Sequence, residues 1–229
     1  MNFASEEPLA APPASVAALW QRALDLSGRT VAELGERCQC QIPESSKRAK
    51  GLVGQLVEKC LGSDAGNLDG PDFQSLCVEL KTLPVARNGR PRESTFVSSI
   101  SLGDMDNMEW RESRVFRKLQ RVLWIPVEGD KRLPLPARRI GHPILWSPNA
   151  DQEARLKSDW EELAGLIGSG QVDHITAHIG TVMQIRPKAA HSRARTTGLD
   201  EGGLMRTLPL GFYLRPTFTA EILATFDSH

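Results

Sequence analysis

The apolar positions of the first sixty residues recur at intervals of three and four, as on one face of an α-helix. Ser15, a residue type favoured at helix N-caps, precedes the first such run, which ends at Gly28. The same spacing predicts a short helix over 31–38. A third helix is predicted over about 51–61, with a wide apolar stripe that stops at Gly62.

The pattern then changes to one typical of strands. Turn-forming residues fill 63–72, and residues 76–85 alternate and are rich in apolar and β-branched side chains. Asn88-Gly89 is a strong signal for a tight hairpin turn. We therefore expect 94–102 to form the strand that returns beside 76–85.

The second half of the chain mixes both patterns. An apolar run over 121–127 predicts a buried strand, and apolar spacing over 151–167 predicts a helix. Short strands are expected over 182–185 and 212–214, with a closing helix over 218–226. Helices first, then a mixed β region, then helix and strand again favour an α/β or α+β fold in which helices flank a mixed sheet.

Length and charge narrow the classes of protein. The chain has 229 residues, with 28 basic and 28 acidic side chains, so polybasic tail proteins and acidic solvating chains are excluded. The charge is unevenly placed: residues 111–139 hold nine basic and three acidic side chains. Residues 186–195 add four basic side chains and no acid. This concentration favours a nucleic-acid surface, although a solvated mixed surface stays open.

Cysteine content and hydropathy indicate the compartment. No apolar run approaches the roughly 20 residues that span a bilayer, and the first fourteen residues, which we expect to be frayed, do not resemble a signal peptide. We therefore expect a cytoplasmic protein. Buried free thiols are favoured over a zinc site, because the spacing of the cysteines matches no common zinc finger. The four are Cys38, Cys40, Cys60 and Cys77.

One short segment carries candidate chemistry. Glu79 and Lys81 are two apart on a predicted strand, so they share a face, with Cys77 also on it. Asp72 lies in the turn before the strand. Two carboxylates and a lysine suit Mg²⁺-assisted phosphodiester hydrolysis. Chance alone predicts roughly 0.6 Glu-x-Lys triplets in such a chain, so an ordinary strand with an ion pair stays open.

A second set of residues supports the same interpretation more weakly. Glu58, beside the apolar stripe of the third helix, could face the same metal, or could be an exposed helical glutamate. Residues 47–51 place three cations and a glycine near a helix N-terminus, which is typical of a phosphate-binding site but also of an ordinary basic loop.

Other possible catalytic motifs are weaker or absent. His174 and His178 are best interpreted as a surface pair. The chain has no P-loop, dinucleotide-binding or nucleophile-elbow motif.

Taken together, these segments resemble the MutH family of DNA mismatch repair endonucleases, which are related to PD-(D/E)xK restriction enzymes. The resemblance covers most of the chain and is weak before about residue 25 and over 192–207. It is carried by KRAKGLVGQLVEKCLG (47–62), DFQSLCVELKTLPVARNGRPRESTFV (72–97), RKLQRVLWIPVEG (117–129), ILWSPN (144–149), QIRPKAA (184–190) and LPLGFYLRPTFT (208–219).

The resemblance implies a fold and an activity. It implies one restriction-endonuclease-like domain shaped as a monomeric clamp, with an N-terminal arm (about 15–70 and parts of the β region) and a C-terminal arm (about 110–229). Double-stranded DNA would lie in the cleft. It further implies Mg²⁺-dependent nicking of the unmethylated strand at GATC, activated by ATP-bound MutL after MutS finds a mismatch.

The family's catalytic residues can be placed one by one. Asp72, Glu79 and Lys81 match its catalytic triplet, so Asp72 and Glu79 would ligate the metal. Glu58 matches a further acidic residue and would be a third metal ligand. Lys118 matches the lysine that approaches the reacting phosphate. A DNA-binding module without catalysis is the alternative, and the intact triplet argues against it.

The family's DNA-contacting residues also have counterparts. Arg186, Pro187 and Lys188 match its base-reading loop, Tyr213 its aromatic residue near the adenine methyl position, and Phe96 a side chain inserted toward the bases.

A DNA-contacting turn of the family matches Lys50 and Gly51. This sequence departs from the family at Gln120, where a basic residue is expected, and at Ala49, where a more polar one is expected. The first departure removes a possible phosphate contact, and the second puts the fine contacts of the turn in doubt.

Overall fold

In the computed structural model the chain forms six α-helices and eight strands within the residues that the structure describes. These residues are 10–44, 49, 51–64, 70–100, 108–171, 174–176, 178–187, 196–200, 203–207 and 209–225. The elements are α1 (Val16–Leu26), α2 (Val31–Arg37), α3 (Leu52–Leu61), β1 (Glu79–Val85), β2 (Thr95–Ser99), α4 (Arg114–Leu119), β3 (Val122–Glu128), β4 (Ile144–Trp146), α5 (Ala150–Gly168), β5 (Met183–Pro187), β6 (Thr196–Asp200), β7 (Gly203–Thr207), β8 (Leu210–Leu214) and α6 (Pro216–Ala224).

The chain divides into two compact units, each made of separate stretches of sequence. The first unit comprises Met1–Arg92, Gln120–Ser147 and Ile222–His229. The second comprises Glu93–Leu119 and Pro148–Glu221. The expected fold class, helices around mixed sheets, is confirmed.

The first unit packs three helices on a mixed sheet in the order β1-β3-β4. β1 runs parallel to β3, with Lys81 opposite Trp124, and β4 runs antiparallel to β3. Leu80 and Ile125 belong to the buried cluster that also contains the apolar faces of α1, α2 and α3. Alternate residues of β1 therefore face this core, which leaves the other face of the strand for Glu79 and Lys81.

Local sequence signals explain where the helices of this unit begin and end. The Ser15 hydroxyl accepts the Ala18 N–H at 3.1 Å at the start of α1. Thr30 and Glu33 form a reciprocal capping box on α2. Gly51 and Gly62 bound α3 with φ of 81° and 80°, a backbone region that favours glycine. The three predicted N-terminal helices are thus confirmed.

The second unit is built on an antiparallel sheet in the order β2-β8-β5. Helix α4 contacts β2, and the long helix α5 contacts β5. Trp110 and Trp160 lie buried with ring centroids 5.8 Å apart. β6 and β7 form a separate antiparallel pair. This unit thus holds the predicted helix over 151–167 and the short strands near 182–185 and 212–214.

Two predictions about the β region are wrong. The strand expected over 76–85 begins only at Glu79, because Gln74–Leu76 form a single 3-10 turn and Cys77 has a left-handed φ of 52°. Cys77 is therefore exposed in a turn and does not share the strand face of Glu79.

The predicted hairpin is the second error. The Asn88-Gly89 turn does form, since the Ala86 N–H donates to the Arg90 carbonyl at 2.8 Å. Only the first residues after it return beside β1, since Pro91 bridges to Val85 and the Arg92 N–H donates to the Pro84 carbonyl at 3.0 Å. β1 pairs in parallel with β3, and β2 pairs with β8 instead.

The remaining elements fall into two groups. The predicted strand over 121–127 is β3, and the closing helix is α6, which begins at Pro216, two residues before the expected start. Sequence periodicity did not predict α4, β4, β6 or β7. Among the described residues, no helix has the length and apolar character needed to cross a membrane.

Candidate functional site

Asp72 is brought to the start of β1 by a short loop. Phe73 and Val78 form an antiparallel bridge, with the Phe73 N–H donating to the Val78 carbonyl at 2.9 Å. This bridge closes the loop that contains Cys77 and carries the Asp72 carboxylate to the strand. Oδ2 of Asp72 accepts the backbone N–H of Leu80 at 2.7 Å. Asp72 and Leu80, which are eight residues apart in sequence, are thereby adjacent in the fold.

Glu79 and Lys81 form a pair on the face of β1 opposite Leu80. Only 1% of the Glu79 side chain and 15% of the Lys81 side chain are exposed. Lys81 Nζ donates to Oε1 of Glu79 at 2.5 Å. A buried carboxylate is costly unless a cation or hydrogen bonds compensate for its lost hydration. The pair therefore holds one negative and one positive group, nearly dry, next to Asp72.

The donor set fits a hard divalent cation. Mg²⁺ is usually held in proteins by one or two carboxylates, with water and substrate phosphate oxygens completing its shell. Asp72 and Glu79 supply such carboxylates. Within the described part of the chain, no three His, Cys, Asp or Glu side chains form a group that could hold a metal ion. The expected third ligand, Glu58, is therefore not gathered into a set with Asp72 and Glu79.

Glu58 lies on the helical side of β1. Its Oε1 is 3.9 Å from the point where a Cβ on Gly54 would stand, and the Thr82 hydroxyl is 3.6 Å from the same point. Thr82 alternates with Lys81 along the strand and points to the opposite face. Glu58 thus lies on the face of β1 opposite Lys81. Its role as a metal ligand stays a prediction.

A second group of predicted residues meets on the sheet of the second unit. Phe96 on β2 stands opposite Tyr213 on β8, and their rings meet edge to face with centroids 5.3 Å apart. The Arg186 guanidinium lies 6.0 Å from the centroid of the Tyr213 ring. Arg186 and Pro187, at the end of β5, are exposed. These four residues form an aromatic and cationic surface, which we call the reading face.

Close backbone packing explains the position of Phe96 on the reading face. A Cβ on Gly211 would lie 2.8 Å from Cε2 of Phe96 and 3.0 Å from the Ser98 carbonyl oxygen. Any larger residue at 211 would displace the Phe96 ring, so glycine lets this ring approach β8 closely. The register also shifts between Phe96 and Ser98, as at a β-bulge, which re-aims side chains on the strand.

The Tyr213 phenol is neutral at physiological pH. Partial burial raises the pKa of Tyr213 above its ordinary value of 10.0, and the nearby Arg186 charge lowers it by a smaller amount. A neutral phenol presents both a hydrogen-bond donor and an acceptor beside its apolar ring. That combination suits contact with the edge of a base.

The sequence pattern did not predict a role for two polar residues of this unit, Ser94 and Gln184. Ser94 Oγ accepts from Gln184 Nε2 at 2.8 Å and from Arg186 Nη1 at 3.3 Å. A single serine ahead of a strand and a glutamine within one carry no motif. The only signal was the position of Gln184 two residues before Arg186, on the same strand face.

A buried carboxylate at the start of β5 was also missed. Oδ2 of Asp159, on α5, accepts the backbone N–H groups of Thr181, Val182 and Met183 at 2.7–2.8 Å. Asp159 is 4% exposed. It fixes the start of β5, the strand that ends in Arg186 and Pro187.

The remaining predicted catalytic and DNA-contacting residues lie in different parts of the chain. Lys118 lies on α4 in the second unit and is partly buried, and Gly51 is the exposed N-cap of α3. Lys50 and Lys188 lie outside the described residues. The basic stretch 111–139 contributes to both units, and some of its charges pair internally, as between Arg132 and Asp130 at 2.7 Å.

The cysteines carry free thiols. Cys38 and Cys60 are buried, as expected, with their sulfur atoms 3.7 Å apart. The hydrogen bond with Cys60, together with burial, raises the pKa of the Cys38 thiol. The prediction of burial is wrong for Cys77, which is exposed, and Cys40 is only partly buried.

Comparison with known proteins gives one consistent result. The family model for the DNA mismatch repair enzyme MutH matches residues 61–159. The DNA mismatch repair protein MutH of Histophilus somni (strain 2336) is 50% identical over 216 residues, covering 94% of this chain and 96% of that protein. The protein of the same name from Yersinia pestis (strain Pestoides F) is 50% identical over 215 residues, covering 93% and 94%.

Proposed function

The chain belongs to the MutH family of DNA mismatch repair enzymes, and from this premise we propose that it is a Mg²⁺-dependent endonuclease that nicks the unmethylated strand of hemimethylated GATC sites. The family membership makes it a DNA repair endonuclease, and its mixed α/β architecture is consistent with the restriction-endonuclease-like fold. The metal, the GATC site and the methyl discrimination are the further steps of the proposal.

The observation that carries the chemistry is the junction of Asp72 with the Glu79–Lys81 pair. When bound, Mg²⁺ would make water more acidic and offset the charge that develops on the phosphate. Asp72 and Glu79 would hold it through carboxylate oxygens. The Leu80 N–H fixes one oxygen of Asp72, so this ligand is oriented before DNA binds.

Lys81 would act on the reacting groups directly. Its side chain is 15% exposed, and we propose that its ammonium meets a phosphate oxygen or the attacking water. The hydrogen bond to Glu79 restricts the Lys81 side chain, so Nζ is already in position before substrate binds. A fixed cation aimed at developing negative charge is worth more in a dry site than in water.

Sequence recognition would belong to the reading face. Arginine can donate two hydrogen bonds to O6 and N7 of guanine in the major groove, which makes Arg186 suited to the G of GATC. Tyr213 would stand near the adenine N6 position. Phe96 would supply an apolar wedge next to the bases.

The rest of the biological setting is proposed from the family alone. In it, ATP-bound MutL activates the protein after MutS has found a mismatch, and the protein works as a monomer in the cytoplasm. Lys118 would approach the reacting phosphate, Lys188 would belong to the base-reading loop, and Lys50 would contact DNA together with Gly51.

A nicking assay with matched plasmids tests the proposal. One supercoiled plasmid carries a single GATC, and its control carries the same site with one base changed. We expect open circles from the first plasmid only, and only when Mg²⁺ is added. Tight binding to both plasmids without nicking under any divalent metal would instead favour a DNA-binding module of the same fold.

A further inference from the structure

We propose that Ser94 is a positioning residue for DNA reading, which holds the Arg186 guanidinium in the orientation that recognises a base. Gln184 orders the Ser94 hydroxyl for this purpose. The inference rests on the proposed function, since it names residues that support the specificity of the same reading face.

The Ser94 side chain connects two strands that are not neighbours, because β8 lies between β2 and β5 in the sheet. Ser94 immediately precedes β2, and its hydroxyl reaches across to β5, where it meets both Gln184 and Arg186. These two residues are separated by one position on β5, so their side chains leave the same face of the sheet. Gln184 stands opposite Tyr213 in the register of β5 and β8. Ser94 thus bonds to Arg186 directly and to the residue that stands opposite Tyr213.

A hydroxyl matches the two donors that surround it. The serine oxygen has two acceptor lone pairs and one O–H donor. One lone pair receives the amide of Gln184, which is buried at 7% exposure, and the other receives Nη1 of Arg186. The buried amide therefore fixes the rotamer of Ser94, and Ser94 in turn fixes one end of the guanidinium.

Arg186 needs such support because its side chain is exposed. A free arginine has many rotamers, and each ordered contact with a base must offset the entropy lost. In the structure the guanidinium is held from two sides, by the Ser94 oxygen and by the face of the Tyr213 ring 6.0 Å away. Holding the planar group in advance favours a bidentate contact, which discriminates between bases, over a loose contact with phosphate.

The test compares discrimination between sites. For each variant, kcat/KM is measured on a duplex with GATC and on one with the guanine replaced. We expect Ser94→Ala to lower the ratio of the two values by about tenfold, mainly through slower nicking of GATC, with an unchanged melting temperature. Ser94→Thr keeps the hydroxyl and should therefore retain most of the wild-type ratio of the two kcat/KM values. Ser158→Ala, at an exposed serine of α5 in the same unit, is the matched control and should equal the wild type.

A double-variant cycle shows whether Ser94 acts through Arg186. If it does, adding Ser94→Ala to Arg186→Ala causes no further loss of discrimination. An equal loss in both backgrounds overturns the inference, as does an unchanged ratio in Ser94→Ala. If Ser94→Ala is poorly folded, Ser94→Thr paired with Ser94→Cys decides, because the inference requires Cys to lose discrimination and Thr to keep it. A wild-type enzyme with no preference for GATC would refute the proposed function itself.

Discussion

At the residue scale, the proposed chemistry depends on carboxylates that the fold holds in fixed positions. Asp72 bonds to the Leu80 amide at 2.7 Å, and Glu79 is almost fully buried beside Lys81. Both arrangements fix donor atoms before substrate arrives. A preoriented charged group avoids reorganisation during the reaction, which is a principal source of rate enhancement in dry sites.

Removal of Asp72 should therefore abolish nicking and spare DNA binding. Loss of a metal-holding carboxylate removes transition-state stabilisation that reaches about 10³-fold, or roughly 4 kcal/mol. The measurement is single-turnover nicking of Asp72→Ala at saturating protein, with affinity for DNA determined separately. Asp25→Ala, at an exposed carboxylate of α1, serves as the control. Activity of Asp72→Ala within a few-fold of the wild type would show that the metal is held elsewhere.

Methyl discrimination should depend on Tyr213. An N6-methyl group projects into the major groove, where a ring packed against the adenine edge would clash with it. A clash of about 2–3 kcal/mol corresponds to roughly 30- to 150-fold discrimination. We expect Tyr213→Ala to narrow the rate ratio between unmethylated and methylated strands while nicking unmethylated GATC more slowly. An unchanged ratio would assign methyl sensing to another residue, with Arg186 tested next.

At the scale of elements, one helix sets the position of the reading face. Helix α5 carries Asp159, whose carboxylate accepts three successive backbone N–H groups at the start of β5. From the other side, Arg215 donates to the carbonyls of Ile179 and Gly180 at 2.9 and 3.1 Å. Arg215 directly follows β8, so the turn before β5 is tied to both α5 and β8.

Truncation of Asp159 should destabilise the protein strongly. Asp159→Ala leaves three N–H groups without their acceptor, two of them in buried residues, and each such loss costs about 1–3 kcal/mol. We expect a loss of about 3 kcal/mol or more in the free energy of unfolding, measured by urea denaturation. Glu162→Ala, on the exposed side of the same helix, should change it little. Comparable midpoints for the two variants would argue against this anchor.

Helices α5 and α6 are joined by a pH-dependent ion pair. Hydrogen bonds from Arg155, with help from Gln152, lower the pKa of Glu221 below its ordinary value of 4.5, against the opposing effect of burial. A carboxyl whose pKa is lower in the folded state stabilises the fold above the unfolded-state pKa. That stabilisation is lost as the pH falls through the folded-state pKa.

Glu221→Gln should therefore reduce stability at neutral pH but not in acid. The expected difference is at most about 1 kcal/mol, because exposed ion pairs contribute little. Urea denaturation at pH 7 and at several values below 4.5 should show the gap between wild type and variant closing as the pH falls. A gap that is constant with pH would assign the loss to packing of the side chain instead.

Local signals in the sequence were sufficient for some elements and not for others. Spacing of apolar residues and the caps at Ser15 and Gly62 predicted α1 and α3, because a helix satisfies its own backbone within one segment. Pairing of β1 could not be deduced, since its parallel partner β3 lies some forty residues away in sequence. The Asn88-Gly89 turn formed, yet the usual preference for neighbouring strands to pair did not hold.

The candidate site likewise has features that the sequence predicted and features that it did not. The period of a strand was enough to place Glu79 and Lys81 on one face. The bond from Leu80 to Asp72 depends on a 3-10 turn that no periodicity indicated. Ser94 could not be found, because its role arises only when β2 and β5 flank β8 in one sheet.

At the scale of the whole molecule, the proposed functions fall in different units. The carboxylates and Lys81 belong to the first unit, and the reading face belongs to the second. Each unit is made from separate stretches of sequence, so its residues assemble only when distant segments fold together. Cutting and reading should thus be separable by mutation, with Asp72→Ala blocking the first and Tyr213→Ala altering the second.

The most direct test of the central proposal is strand-resolved nicking of one GATC duplex in Mg²⁺. The duplex is prepared unmethylated, methylated on either single strand, and methylated on both, with each strand carrying its own label. The proposal predicts nicks in either strand of the unmethylated duplex, only in the unmethylated strand of each hemimethylated duplex, and in neither strand when both are methylated. Equal nicking of both strands in the hemimethylated duplexes, or nicking that does not require Mg²⁺, would contradict it.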